Sequence, residues 1–140
     1  MPTVSTVTVD VEGAVRDWVN TLTDTLVGAG QPIPLGAHLK RLRSPSKQAY
    51  VLLSRVGGGD EWGGHADDAR ISASIYAMTK EAAAAGAVAY ANHVRALGVL
   101  QPVVGAVRLR ACDNVTGPTY IPDGDEERYL VDADIFTIPA

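Results

Sequence analysis

Two segments near the end of the chain alternate apolar and charged residues with a period of two, as half-buried β-strands do. They read VVGAVRLRAC over residues 103–112 and RYLVDADIFTI over residues 128–138. This alternation predicts two strands, each of which buries one face. The predicted buried faces are Val107, Leu109 and Ala111 in the first segment and Val131, Ala133 and Ile135 in the second.

One antiparallel register satisfies the charged and the apolar positions together. It places Arg110 opposite Asp132 and Arg108 opposite Asp134, with Leu109 opposite Ala133. We predict this pairing, because a slip by one residue would turn every side chain to the other face. Each charge pair adds only about 0.2–1 kcal/mol, so the pairs matter for the register more than for stability.

The composition is typical of a soluble globular domain, with 46% hydrophobic and 20% charged residues. A length of 140 residues predicts one domain, 1–140, with a core of its own. No apolar run reaches the roughly 18 residues of a membrane span, and the start, MPTVSTVTVD, lacks a signal-peptide pattern. The net charge of −4 argues against tight binding of nucleic acid. We therefore expect a soluble intracellular protein.

Two helices are predicted. Asp10 caps the first, which runs to Val27, and Trp18 is its expected core anchor. Thr79 caps the second, which runs to Leu97 and is rich in alanine. Its small side chains predict that it lies flat on the sheet or against a neighbouring subunit.

Three further strands are predicted, at residues 37–43, 48–56 and 70–77, the first two joined by the turn Ser44-Pro45-Ser46-Lys47. Residues 1–9 are expected to be a short strand or a mobile arm. The fold class is therefore α/β in the α+β sense. We expect a mixed, mainly antiparallel sheet of about four to five strands, with two helices packed on one face.

Three polar or mobile regions are the predicted partner contacts. The Gly-rich loop 57–69 presents Asp60, Glu61 and Trp62, and a single Trp in such a loop is typical of an interface anchor. The basic residues Lys40, Arg41 and Arg43 form either a solvated face or a contact with an acidic partner or passing DNA.

The third region, 113–127, is an extended loop or a β-arm, because Asp123-Gly124 can close a hairpin. In the β-arm, Tyr120 and Ile121 would be exposed apolar groups available to a partner.

No catalytic pattern emerges around the histidines His38, His65 and His93. Cys112 is the single cysteine, so an internal disulfide and a cysteine metal cage are excluded. We predict no enzyme activity, no metal and no cofactor. The alternative is a small metal-dependent hydrolase in which His65 converges with Asp60, Asp67 or Asp68.

Several segments and their order resemble the tail terminator (tail completion) proteins of long-tailed bacteriophages and prophages. The segments are DVEGAVRDWVNTLTDTL, QAYVLLSRVGGGDEW, ARISASIYAMTKEAAAAGAVAYANHV and RYLVDADIFTIPA, and together they cover most of the chain from residue 10 onward. The resemblance depends on the order of the elements and on the residue pattern of these segments. The last strand, in which acidic and apolar residues alternate, resembles the family most.

The resemblance implies a structural protein of the virion. Six copies would form a ring at the head-proximal end of the tail, cap the tail tube, end its polymerisation and offer the attachment surface for the head. The implied partners are the chain itself, the tail tube protein and the head–tail connector or stopper protein, with assembly in the host cytoplasm. Genomic DNA would pass through without sequence-specific binding, and no membrane is involved. An adjacent head–tail connector or completion protein is the alternative.

Overall fold

The computed structural model describes residues 10–22, 27–28, 31–32, 36–40, 50–61, 66–124 and 126–140. Their helices are α1 (Val11–Thr21), α2 (Lys80–Arg95) and α3 (Leu97–Leu100). Their strands are β1 (Val27–Gly28), β2 (Gln31–Pro32), β3 (Gly36–His38), β4 (Tyr50–Glu61), β5 (Ala66–Ala77), β6 (Val103–Val104), β7 (Val107–Tyr120) and β8 (Glu127–Pro139).

Two long antiparallel pairs, β4 with β5 and β7 with β8, form most of a six-stranded sheet. The pairs join through β5 and β8, and the strand order is β3-β4-β5-β8-β7-β6. Every pairing in this sheet is antiparallel except that of β3 with β4. The predicted mixed, mainly antiparallel α+β fold is therefore confirmed at this level. In the described part of the chain, the sheet has six strands instead of four or five, β1 and β2 form a separate antiparallel pair, and there is one additional short helix.

One face of the sheet forms the core, and α1 and α2 both pack into it. Trp18 of α1 and Tyr90 of α2 belong to the same buried cluster as the inward residues of β4, β5 and β8. Trp18 is thus the core anchor that its helical position predicted. Helix α2 lies flat on the sheet because small residues face it, namely Ala83, Gly86, Ala87 and Ala91.

Both predicted helix caps are confirmed, whereas the helix ends are not. The Asp10 side chain accepts from the Gly13 amide at 2.9 Å, and Thr79 Oγ1 accepts from the Ala82 amide at 3.1 Å. Helix α1 ends at Thr21 and a strand begins at Val27, so the prediction of a helix through Val27 was wrong. Helix α2 ends at Arg95, and α3 follows it as a separate turn.

The predicted hairpin of residues 37–43 and 48–56 was wrong. Strands β3 and β4 pair in parallel, with Ala37 opposite Val51. A parallel pair needs a crossover connection, so a tetrapeptide turn cannot join it. Residues 41–49, which contain the predicted turn, lie outside the described residues.

The Gly-rich segment is largely strand, so the prediction of a loop over 57–69 was wrong. Strand β4 continues through three glycines to Glu61 and pairs with β5, which begins at Ala66. Gly57 lies opposite Arg70 after a register shift at Arg55. Strand pairing is made by the backbone, so a run of glycine does not prevent it when a long partner strand is available.

The predicted register of the last strand pair was wrong by four residues at 107–109 and by five at 111–113, although the pairing is antiparallel as expected. Leu109 lies opposite Thr137 and Arg108 opposite Ile138, so Arg108 does not meet Asp134. Arg110 lies at a β-bulge, and the β7 residue opposite Asp132 is Thr116. A shift by an even number of residues leaves every side chain on its face, so the alternation alone could not exclude it.

The same bulge changes which residues face the core. Leu109 is buried there, but Ala111 pairs with Phe136 on the opposite face, and Cys112 takes the core-facing place. The first predicted strand also divides at Gly105, whose φ of +61° lies in a tight turn between β6 and β7. Of the predicted buried face, Ala111 is therefore the incorrect member.

The β-arm alternative for residues 113–127 is confirmed. Strand β7 extends to Tyr120, β8 starts at Glu127, and Asp123 forms a bridge with Glu126 around Gly124. The hairpin therefore closes at the Asp-Gly pair that the sequence indicated.

Candidate functional site

The closed end of the β7–β8 hairpin exposes the two apolar residues that the sequence singled out. Tyr120 is 37% exposed and Ile121 is 40% exposed. Met78, which directly follows β5, is 60% exposed. Ala77 pairs with Glu127, the first residue of β8. Met78 therefore lies at the same end of the sheet as the hairpin turn. We call Met78, Tyr120 and Ile121 the hairpin-end patch.

Tyr120 is held in place from three sides. Its ring lies 5.2 Å from the ring of Tyr129, and the Lys80 ammonium lies 4.2 Å above its centroid. Its hydroxyl donates a hydrogen bond to the Glu127 carboxylate, and this bond raises the pKa of Tyr120 above its ordinary value. The Tyr120 ring is thus fixed by contacts within the chain.

Behind Ile121, a polar cluster fixes the backbone. The Arg128 guanidinium donates to the Ile121 carbonyl at 2.9 Å, and the Tyr76 hydroxyl donates to Asp123 at 3.1 Å. Burial is the main cause that raises the pKa of Tyr76, so this hydroxyl stays protonated as a donor. Tyr76 also stacks on Tyr50, with ring centroids 5.0 Å apart.

A second exposed apolar surface lies at the other end of the β7–β8 ladder. It consists of Val99 and Leu100 of α3 and Val103 of β6, which are 89%, 53% and 50% exposed. We call these three residues the α3–β6 patch. Sequence reasoning missed it, although the run Gly98-Val99-Leu100 after a complete helix was a signal of apolar residues beyond the core.

Most of the other predicted interface residues are not brought together. Lys40 is exposed beside β3, while Arg41, Arg43 and Trp62 lie outside the described residues. Asp60 and Glu61 pair through their backbones with Asp67 and Ala66. An interface role for these residues stays a prediction. Of the predicted interface residues, Tyr120 and Ile121 lie together, in the hairpin-end patch.

The charged residues of the last strands form a different network from the predicted one. Arg70 of β5 lies directly opposite Asp134 and donates to it at 3.0 Å. The Asn114 side chain donates to the other oxygen of Asp134 at 2.8 Å, and Arg70 also reaches Thr116 at 3.2 Å. The network therefore connects β5, β8 and β7 across the second face of the sheet.

The neighbours of Asp134 in this network stabilise its charged form. The hydrogen bond from Asn114, and after it Arg70, hold the pKa of Asp134 below its ordinary value, although desolvation acts in the opposite direction. These partners also offset Asp113, a like charge that lies opposite Asp134 on β7. We assign this network to strand pairing because each of its members contacts another strand of the sheet.

The residues of the hydrolase alternative are not all described. His65 lies outside the described residues, and Asp68 lies on β5 opposite Phe136 of β8. Across the described ranges, no group of three or more His, Cys, Asp and Glu side chains could hold a metal ion. Cys112 is half-buried against the core, and burial raises the pKa of its thiol, which disfavours the reactive thiolate.

Among the helices of the described residues, none is long and apolar enough to cross a membrane. The sequence matches no protein-family model, and a comparison with curated proteins gives no match either. The two exposed apolar patches are the surfaces of the described residues that a partner could contact.

Proposed function

We propose that this chain is a structural subunit of a phage tail, a tail terminator that assembles into a hexameric ring. The single observation that carries this proposal is the pair of exposed apolar patches at opposite ends of the β7–β8 ladder. The α3–β6 patch lies beside the start of β7, and the hairpin-end patch lies at its end.

Two different patches suit a ring better than they suit a monomer or an enzyme. A closed ring is built from heterologous contacts, in which one surface of each subunit meets a different surface of the next. Clustered exposed apolar residues on a soluble protein mark such contacts. A rigid sheet with both patches at its ends holds them at a fixed distance and angle, as ring closure requires.

In this proposal, the ring caps the tail tube, ends tube polymerisation and presents the surface to which the head or connector attaches. The segments quoted above support this assignment. The net charge of −4 suits a passage through which DNA moves without adhering. The ring is a part of the virion, and it works without a cofactor.

The test is the mass of the purified protein in solution over a concentration series, alone and with the tail tube protein of the same phage. Sedimentation velocity is expected to show a shift toward about six subunits, and electron microscopy is expected to show tubes capped at one end. A chelator such as EDTA is expected to change neither result.

A protein that stays monomeric at every concentration and leaves tube length unchanged would overturn the proposal. Rings that bind a connector protein but not the tube would assign the chain to the adjacent connector instead. Loss of an activity in EDTA would favour the hydrolase alternative.

A further inference from the structure

We infer that the α3–β6 patch of one copy docks on the hairpin-end patch of the next copy, head to tail. This inference rests on the proposed ring and names its subunit interface. It follows from the exposure, the charge and the positions of the two patches.

The apolar side chains of the two patches are suited to pack against each other. The α3–β6 patch is aliphatic and protruding, with Val99 as its most exposed member at 89%. The hairpin-end patch adds a fixed aromatic ring, Tyr120, beside Ile121. Aromatic residues are enriched in interface cores, and a pre-positioned ring covers a protruding aliphatic group with little loss of side-chain freedom.

The charges around the two patches are opposite. Residues 82–112 contain the arginines Arg95, Arg108 and Arg110 and no acidic residue, and they include the α3–β6 patch. Around the hairpin end, Glu81, Asp123, Glu126 and Glu127 outnumber Lys80 and Arg128. A basic surface and an acidic surface attract one another and disfavour the pairing of either patch with itself.

Two acidic residues of α1 act within their own helix. Helix α1, which also contacts β6, starts with Asp10 and Glu12. The Asp10 carboxylate accepts from the Gly13 amide, and both side chains lie where negative charge stabilises the helix dipole. Arg110, in contrast, is exposed and forms no ion pair within the described part of the chain.

The positions of the patches favour a head-to-tail contact. Strand β8 runs from Glu127, next to the hairpin end, to Pro139, which pairs with Val107 next to β6. At about 3.3 Å per residue, this strand holds the two patches roughly 40 Å apart. Two patches so far apart cannot meet within one subunit, and each is free for a different neighbour.

The test uses two variants that each block one patch. Val99→Glu places a charge in the α3–β6 patch, and Ile121→Asn removes the aliphatic group from the hairpin-end patch. Each variant alone is expected to need at least tenfold more protein than wild type for half-maximal assembly. A 1:1 mixture is expected to form a heterodimer and no ring, because it retains one intact patch of each kind and therefore a single working contact between the two variants. Val56→Glu, at an exposed position of β4, is the matched control and is expected to assemble as wild type does.

A second measurement tests the charges. Arg110→Glu is expected to weaken assembly by a larger factor than Arg16→Glu, an equal charge change on the exposed face of α1. Raising NaCl from about 0.05 M to about 0.5 M is expected to weaken wild-type assembly, because screening reduces the attraction of exposed charges.

The outcomes separate this inference from the proposed function. If wild type forms rings and both patch variants form them equally well, the interface is wrong and the ring stands. A homodimer of either variant alone would show that one patch pairs with itself and would also overturn the inference. If wild type never assembles, with or without tube protein, the proposed function fails first.

Discussion

Arg70 of β5 donates a hydrogen bond to Asp134 of β8 at 3.0 Å, directly across the junction of the two strand pairs. Both side chains are less than one-third exposed. The pair therefore contributes to the β5–β8 pairing, through which the two halves of the sheet are joined.

Asp134→Asn is expected to lower the free energy of unfolding at pH 7 by about 1–3 kcal/mol, because hydrogen bonds to a charged group are lost. The folded-state pKa of Asp134 lies below its unfolded value. Its contribution is therefore complete above about pH 4 and is lost as pH falls through the folded pKa. Urea unfolding of both proteins at pH 7 and at pH 2.5 measures this difference.

Arg110→Ala is the control for that experiment, since Arg110 is exposed at the bulge. Its expected effect on unfolding is within about 0.5 kcal/mol. A large loss for Arg110→Ala together with no loss for Asp134→Asn would contradict the observed network.

Gly117→Ala is expected to destabilise the hairpin by several kcal/mol. Gly117 has a φ of +97°, and a Cβ built there would lie 2.3 Å from the Leu130 carbonyl oxygen. Both the backbone conformation and the space exclude a side chain. Thermal denaturation of this variant is compared with that of Gly98→Ala, where a Cβ meets nothing within 4 Å. The second substitution is expected to be neutral or stabilising, because alanine favours a helix.

Tyr90→Phe is expected to leave stability unchanged or to raise it by up to about 1 kcal/mol. The Tyr90 hydroxyl is buried and finds no hydrogen-bond partner among the described residues, and burial raises its pKa. Removing an unpaired buried hydroxyl removes its desolvation cost. Tyr76→Phe deletes the hydrogen bond to Asp123 and is expected to cost about 1 kcal/mol. Chemical denaturation should therefore give an unchanged or higher free energy of unfolding for Tyr90→Phe and a lower one for Tyr76→Phe.

The two tryptophans are expected to differ. Trp18→Ala should destabilise the fold by about 3–5 kcal/mol, because it leaves a cavity among buried residues. Trp62→Ala should leave the melting temperature nearly unchanged and weaken assembly, as its predicted interface role requires. If Trp62→Ala lowers the melting temperature as much as Trp18→Ala does, Trp62 is a core residue.

The sequence predicted the helices and strands better than it predicted which strands pair and in what register. The strand predicted at residues 70–77 lies within β5, and the caps Asp10 and Thr79 marked two helix starts. These features depend on residues a few positions apart, so a single sequence contains them. The hairpin closure at Asp123-Gly124 is local in the same sense.

The register failed because it depends on a third strand. The prediction gave Asp134 one neighbour, β7, but β8 has a strand on each side, and the arginine that pairs with Asp134 comes from β5. Charge complementarity could not distinguish Arg108 from Arg70 without knowledge of the strand order. The α3–β6 patch was missed for a related reason: whether Val99 is buried depends on what covers it, which the periodicity of α3 alone does not show.

The position of β8 has a consequence for synthesis. It is the last strand in chain order, yet it lies in the interior of the sheet, between β5 and β7. On the ribosome, β4 and β5 can pair early, but β5 keeps one edge open until the residues after 127 emerge. A nascent chain therefore exposes an open edge of β5 from the emergence of residue 77 until β8 emerges, and the sheet is completed only when β8 pairs with both β5 and β7.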